Sequence, residues 1–117
     1  MTTVTSTVTS KTAAMRIIEV TMVRVYLTEA ETHLNSFLEH LNDEHKVRGL
    51  TVFRGIAGFG QSGKIHSSSL LDISLDLPVV IEFFDEPARA AVMIESLYSK
   101  VGEGHIVSWP VSLHVDQ

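Results

Sequence analysis

The chain has no cysteine among its 117 residues. Disulfides, thiolate metal sites and cysteine nucleophiles are therefore excluded, and the composition fits a reducing cytoplasm, the expected location. Positive charge is scarce: 14 acidic residues oppose 9 basic ones, for a formal net charge of −5. A nucleic-acid surface needs a basic patch, and no block of like charges occurs, so nucleic acid is not an expected partner. No apolar run is long enough to span a bilayer, so membrane insertion is not expected. The first fourteen residues are mostly Thr and Ser with isolated valines. They lack the basic and apolar segments of a secretory signal, and they cannot bury enough surface to offset their ordering entropy. A disordered tail is expected over residues 1–15 and one folded domain over 16–117.

What is present is periodicity. Ile17–Leu27 alternates, with Val23, Val25 and Leu27 on one face and Met22, Arg24 and Tyr26 on the other, which reads as a strand. Ala30–Glu44 carries Leu34, Phe37, Leu38 and Leu41 at helical spacing, and Gly49 follows as a break. Leu50–Phe59 reads as the second strand and Leu77–Asp85 as the third, with Pro78 at its tolerated first position. Asp85 is expected to cap the next helix and Pro87 to occupy its first turn. Over Ala88–Val101 the expected buried stripe is Ala91, Ile94, Leu97, Tyr98 and Val101, and Gly102 ends the helix. Ile106–Val115 is the fourth strand, with Pro110 marking an edge or bulge. The order predicts an α+β fold: a ferredoxin-like βαββαβ sandwich, with an antiparallel four-stranded sheet and both helices on one face. The other face is too apolar for full exposure, which predicts an oligomer.

Catalytic signatures are missing. There is no G-x-S-x-G elbow. Gly58-Phe59-Gly60 lacks the third glycine of a dinucleotide loop, and GQSGK lacks both the spacing of a phosphate loop and a hydroxyl residue after Lys64, where Ile65 stands. No enzyme is expected. Six histidines keep a divalent-metal-responsive binding protein as the alternative, yet His33 and His40 lie seven apart, beside Glu44, without ligand spacing. Glu82 stands inside an apolar strand. Either it pairs with Arg24 or faces solvent, or it accepts a ligand hydroxyl or amino group.

Two glycine-rich segments remain. Gly55, Gly58, Gly60 and Gly63 lead into a loop with Lys64, His66 and Ser67–Ser69, and a second turn, Gly102-Glu103-Gly104-His105, follows the last helix. Each reads plainly as a turn or helix cap. Together they could also present backbone N–H groups to a small anion.

The stretch from Gly49 to Asp85, with VGEG after the second helix, closely resembles a prokaryotic family of PII-like proteins, relatives of the nitrogen-regulatory PII signalling proteins. The resemblance covers about Met22–Val115. It implies a homotrimer of ferredoxin-like subunits that bind adenine nucleotides or related effectors in clefts between neighbours. It also implies a loop between strands two and three that engages a target, often a membrane transporter. Gly49-Leu50-Thr51 resembles the PII Gly-Met-Thr, which implies a contact from Thr51 to the base. Gly58-Phe59-Gly60-Gln61 resembles the base of the PII signalling loop, Glu82 the carboxylate facing the PII cleft, and Gly102-Glu103-Gly104-His105 the Gly-Asp-Gly-Lys turn that wraps phosphates. The chain departs from that pattern. His105 replaces a lysine, and SWPVSLHVDQ has no basic residue besides histidine. Fewer cations weaken a triphosphate most. AMP or ADP is expected in preference to ATP, with Lys64 supplying charge and His66 beside it, or a small anion such as bicarbonate. The loop Gln61–Leu77 contains no tyrosine, so tyrosyl modification is not expected.

Overall fold

The computed structural model describes residues 14–28, 34–42, 47–60, 63–67 and 77–117. Within them the elements are β1 (Met15–Thr28), α1 (Leu34–His40), β2 (Gly49–Arg54), β3 (Ala57–Phe59), β4 (Ile65–Ser67), β5 (Pro78–Asp85), α2 (Pro87–Val101) and β6 (Ile106–Asp116). Residues 1–13 of the expected tail lie outside the described residues, and β1 opens at Met15.

Four strands form one sheet in the order β2-β5-β1-β6, all pairs antiparallel. This is the ferredoxin-like arrangement: the strands read third and first are central, and those read second and fourth lie at the edges. Alternation assigns the faces. Val79, Ile81 and Phe83 of β5 are buried, as are Val23, Val25 and Leu27 of β1. They pack with Phe37 and Leu41 from the first helical segment and with Ala90, Met93 and Leu97 of α2 in one cluster. Each such side chain larger than alanine contributes roughly 1.5–3 kcal/mol by leaving water. Pro110 sits on β6, an edge strand, where its missing N–H costs no ladder bond toward a further strand.

Several expectations are corrected. The stripe of α2 that faces the sheet is Ala90, Met93 and Leu97, flanked by partly buried Ile94 and Val101, whereas Ala91 and Tyr98 are exposed. Small and apolar residues occupy so much of this helix that periodicity fits more than one rotation, and packing on β1 and β5 chooses. The residue capping α2 is Glu86, not Asp85, and Pro87 opens the helix. Buried Asp85 serves the junction differently: its Oδ1 accepts the Glu86 N–H at 2.7 Å and pairs with Arg89 Nε at 3.2 Å. The first helix is described over Leu34–His40, and residues 30–33, 43 and 44 of the expected span lie outside the described residues.

The second strand is not continuous to Phe59. It stops at Arg54, where the Gly55 N–H donates to the Pro78 carbonyl at 2.7 Å. Ile56 then turns outward, 79% exposed, and β3 leaves the sheet to pair with β4 instead. The expected loop Gln61–Leu77 therefore contains a strand. Three residues, Ile65–Ser67, are too short a run to carry a readable alternation.

Candidate functional site

The sheet face away from the helices is built in cross-strand rows. Register places Gly49, Phe84, Met22 and Trp109 in one row and Thr51, Glu82, Arg24 and Val107 in the next. Phe53, Val80 and Tyr26 follow in a third. Tyr26, Phe53 and Val107 remain about half exposed. In the middle row Arg24 Nε donates to Glu82 Oε2 at 2.5 Å, and the guanidinium lies 5.4 Å from the Trp109 ring centroid. The Glu82 carboxylate, and after it the Tyr26 hydroxyl, raise the Arg24 pKa above its ordinary value by hydrogen bonding to the charged form. Of the two readings of Glu82, pairing with Arg24 is the one the geometry displays. The carboxylate inside an apolar strand is thereby compensated.

One end of the sheet carries a cleft of about 590 Å³. Its walls come from three places. The ends of β1 and β5 supply Tyr26, Thr28 and Pro78, the segment after β2 supplies Gly58, Phe59 and Gly60, and the turn before β6 supplies Glu103, Gly104 and His105. The two glycine segments, far apart in the chain, thus meet at one opening.

Each is shaped by a different constraint. A Cβ built on Gly55 would stand 2.9 Å from Pro78 Cγ, and one on Gly58 would stand 3.3 Å from the same atom. The chain passes so closely over the proline ring that a side chain at Gly55 forces a shift, and one at Gly58 makes a tight contact. At the other wall Gly102 and Gly104 have φ of 80° and 82°, with nothing within 4 Å of a built Cβ. There glycine is required by conformation, and the space in front of it stays open. Gly102 ends α2, its N–H donating to the Tyr98 carbonyl at 2.9 Å.

The turn is clamped to β1 by two hydrogen bonds. The Tyr26 N–H donates to the His105 carbonyl at 2.9 Å, and His105 Nδ1 lies 2.8 Å from the Tyr26 carbonyl. These residues continue the β1–β6 register one step past Val25 and Ile106. The imidazole supplies the second bond that a backbone N–H ordinarily makes in an antiparallel pair.

Of the residues singled out from the sequence, Gly58, Phe59, Gly60, Glu103, Gly104 and His105 line the cleft together. Gly102 positions the turn without lining it. Thr51 and Glu82 stand side by side in the middle row of the sheet, outside the cleft lining. Lys64 is exposed just before β4 and also outside that lining, the backbone of His66 is in β4, and Gln61 lies outside the described residues. Tyr26, Thr28, Gly55 and Pro78 complete the walls and were not singled out from the sequence. For Gly55 and Pro78 the available signal was a glycine ending one strand and a proline opening another. Nothing local tied the two together.

Among the described residues no group of three or more His, Cys, Asp or Glu is placed to hold a metal ion. His33 and Glu44 lie outside the described residues. No described helix is long and apolar enough to cross a membrane.

The profile of the DUF190 family, described as "Uncharacterized ACR, COG1993", matches residues 20–113. The chain belongs to this family. Among its relatives, a UPF0166 protein of Aquifex aeolicus (strain VF5) is 33% identical over 90 residues, covering 74% of this chain and 86% of its own. The fold also recurs in solved structures. CPII from Thiomonas intermedia K12, a nitrogen regulatory PII-like protein bound to ADP, AMP and bicarbonate, superposes with a TM-score of 0.62 at 17% identity, over 87% of this chain and 92% of its own. A proposed PII-like signaling protein from Thermus thermophilus superposes with a TM-score of 0.56 at 13% identity, over 86% and 92% of the two chains. This member of the DUF190 family therefore has the PII-like fold.

Proposed function

We propose that this chain is a non-catalytic signalling module. It binds an adenine nucleotide, AMP or ADP in preference to ATP, in the cleft between the Gly58–Gly60 segment and the Gly102–His105 turn. The observation that carries the reading is the convergence of those two segments on one opening. The ligands bound by the Thiomonas protein of the same fold support it, and they keep bicarbonate as a co-effector. Among the described residues no lysine or arginine lines the cleft, which favours ligands of lower charge.

The chain works as a homotrimer in this reading. The half-exposed aromatic rows of the open sheet face supply an apolar surface for neighbours, and subunit clefts are natural ligand sites. Occupancy of the cleft shifts the segment between β2 and β5, which engages or releases a partner such as a membrane transporter. The size of that shift is limited by the difference in ligand affinity between the two states.

A thermal-shift series with AMP, ADP, ATP and bicarbonate tests the reading, because a ligand selective for the folded state raises the melting temperature. AMP and ADP should raise it more than ATP does at equal concentration. No response to any nucleotide would refute the assignment, and light scattering at the mass of a monomer would refute the trimer.

A further inference from the structure

We propose that the free edge of β1, over residues 15–20, pairs antiparallel with the same edge of a second copy about a two-fold axis, so that two sheets continue into one. The proposal is separate from the cleft and its ligand.

β1 and β6 pair without a break from Met15 opposite Asp116 to Val25 opposite Ile106, whereas β5 reaches only as far as Thr21. Residues 15–20 and 111–116 therefore form a two-stranded ribbon, about 20 Å long, that runs past the other strands. Its outer part lies beyond residues 20–113, the stretch matched to the family. Two strands alone are marginal in water, and a third strand stabilises them.

The ladder shows which way this backbone points. The Tyr26 N–H donates to the His105 carbonyl at 2.9 Å, and the Ala14 carbonyl accepts the Gln117 N–H at 2.6 Å. The register between these points is continuous, so even-numbered residues of β1 bond to β6 and odd-numbered ones face the opposite side. From Thr21 onward that side is occupied by β5. At Ile17 and Glu19, among the described residues, no group bonds to the main chain there. The neighbouring Met15 carbonyl accepts from Gln117 Nε2 at 3.4 Å.

Edges that stay single are blunted by proline, lysine or a bulge. The outer edge of β6 has Pro110. Residues 15–20, MRIIEV, have neither proline nor lysine, their register is unbroken, and Ile17 is 58% exposed. The segment also suits a copy of itself. Arg16 stands near one end and Glu19 near the other, so antiparallel pairing sets the basic end of one copy against the acidic end of the next. Such pairing is isologous and closes at two copies instead of propagating.

Sedimentation analysis of the full chain tests this. The native assembly should hold an even number of copies. Six copies keep both this contact and the trimer, and two keep the contact while refuting the trimer. Three copies overturn the contact and leave the trimer standing, and a monomer removes both. Ile17→Pro and Glu19→Pro each delete an N–H that faces the open edge and spare every bond to β6. Either should halve the mass while the far-UV circular dichroism is kept, and an even assembly unchanged by both overturns the proposal. Hydrogen exchange on the native chain decides without variants. The Ile17 and Glu19 amides should exchange about tenfold or more slowly in the assembly than in dilute, dissociated protein, and equal exchange in the two would also overturn it.

Discussion

The two glycine-bearing walls of the cleft use the same residue for opposite reasons. At Gly55 a side chain is excluded because the Pro78 ring occupies its place, and at Gly58 the same ring crowds it. At Gly102 and Gly104 there is room for a side chain, but positive φ disfavours one. The first wall is closed packing and belongs to the scaffold. The second is an open turn held by its ends, at the Tyr98 carbonyl and at the Tyr26 backbone. A glycine that maintains a fold and a glycine that leaves space for a ligand look identical in a sequence. They separate only when the surroundings of the absent Cβ are known.

The largest effect that would break this contrast is expected at the open wall. Gly104→Asp introduces a carboxylate into empty space at the cleft and strains a left-handed position. Stability should fall by only about 1 kcal/mol, while AMP affinity drops about a hundredfold or more through repulsion and displacement of His105. Titration calorimetry paired with thermal melting reads both, and unchanged affinity would remove this turn from the site.

At the closed wall the order of effects reverses. Gly55→Ala forces a methyl group against Pro78 and should cost about 1–3 kcal/mol of stability. Pro78→Ala opens the space, so the double variant should recover about 1 kcal/mol relative to the sum of the single changes. Chemical denaturation of the four proteins measures that coupling, and strict additivity would deny the contact its role.

The smallest effect sharpens the comparison. Gly60 also lines the cleft, but a Cβ there meets nothing within 4 Å and its φ lies outside the left-handed region. Neither constraint applies, so Gly60→Ala should stabilise the chain by about 0.4–1 kcal/mol through the unfolded state. A loss comparable to that of Gly55→Ala would show that packing at this wall extends further than the Pro78 ring.

The fold was legible where alternation was strong. Val23, Val25 and Leu27 against Met22, Arg24 and Tyr26 separate onto two faces as the period requires. The rotation of α2 was not legible, because Ala90, Ala91, Met93 and Ile94 offer two adjacent stripes and only contact with β1 and β5 selects one. The break at Gly55 was equally hidden, since Leu50–Phe59 is apolar enough to continue as a strand. Six of the candidate site residues meet at the cleft because turn chemistry is written in glycine. Thr51 and Glu82 stand elsewhere, on the sheet face, where the cross-strand register put Glu82 beside Arg24.

By itself the sequence determined the order of the four sheet strands and the two helices, the two faces of β1, and most of the positions at which the backbone must turn. These are properties of neighbouring residues, governed by side-chain period and by allowed φ. Only the tertiary structure decided that Pro78 lies over Gly55, that the Tyr26 carbonyl takes up the His105 ring, and that two distant glycine segments enclose one cleft. Those contacts depend on how strands align across the sheet, and no local pattern encodes that distance.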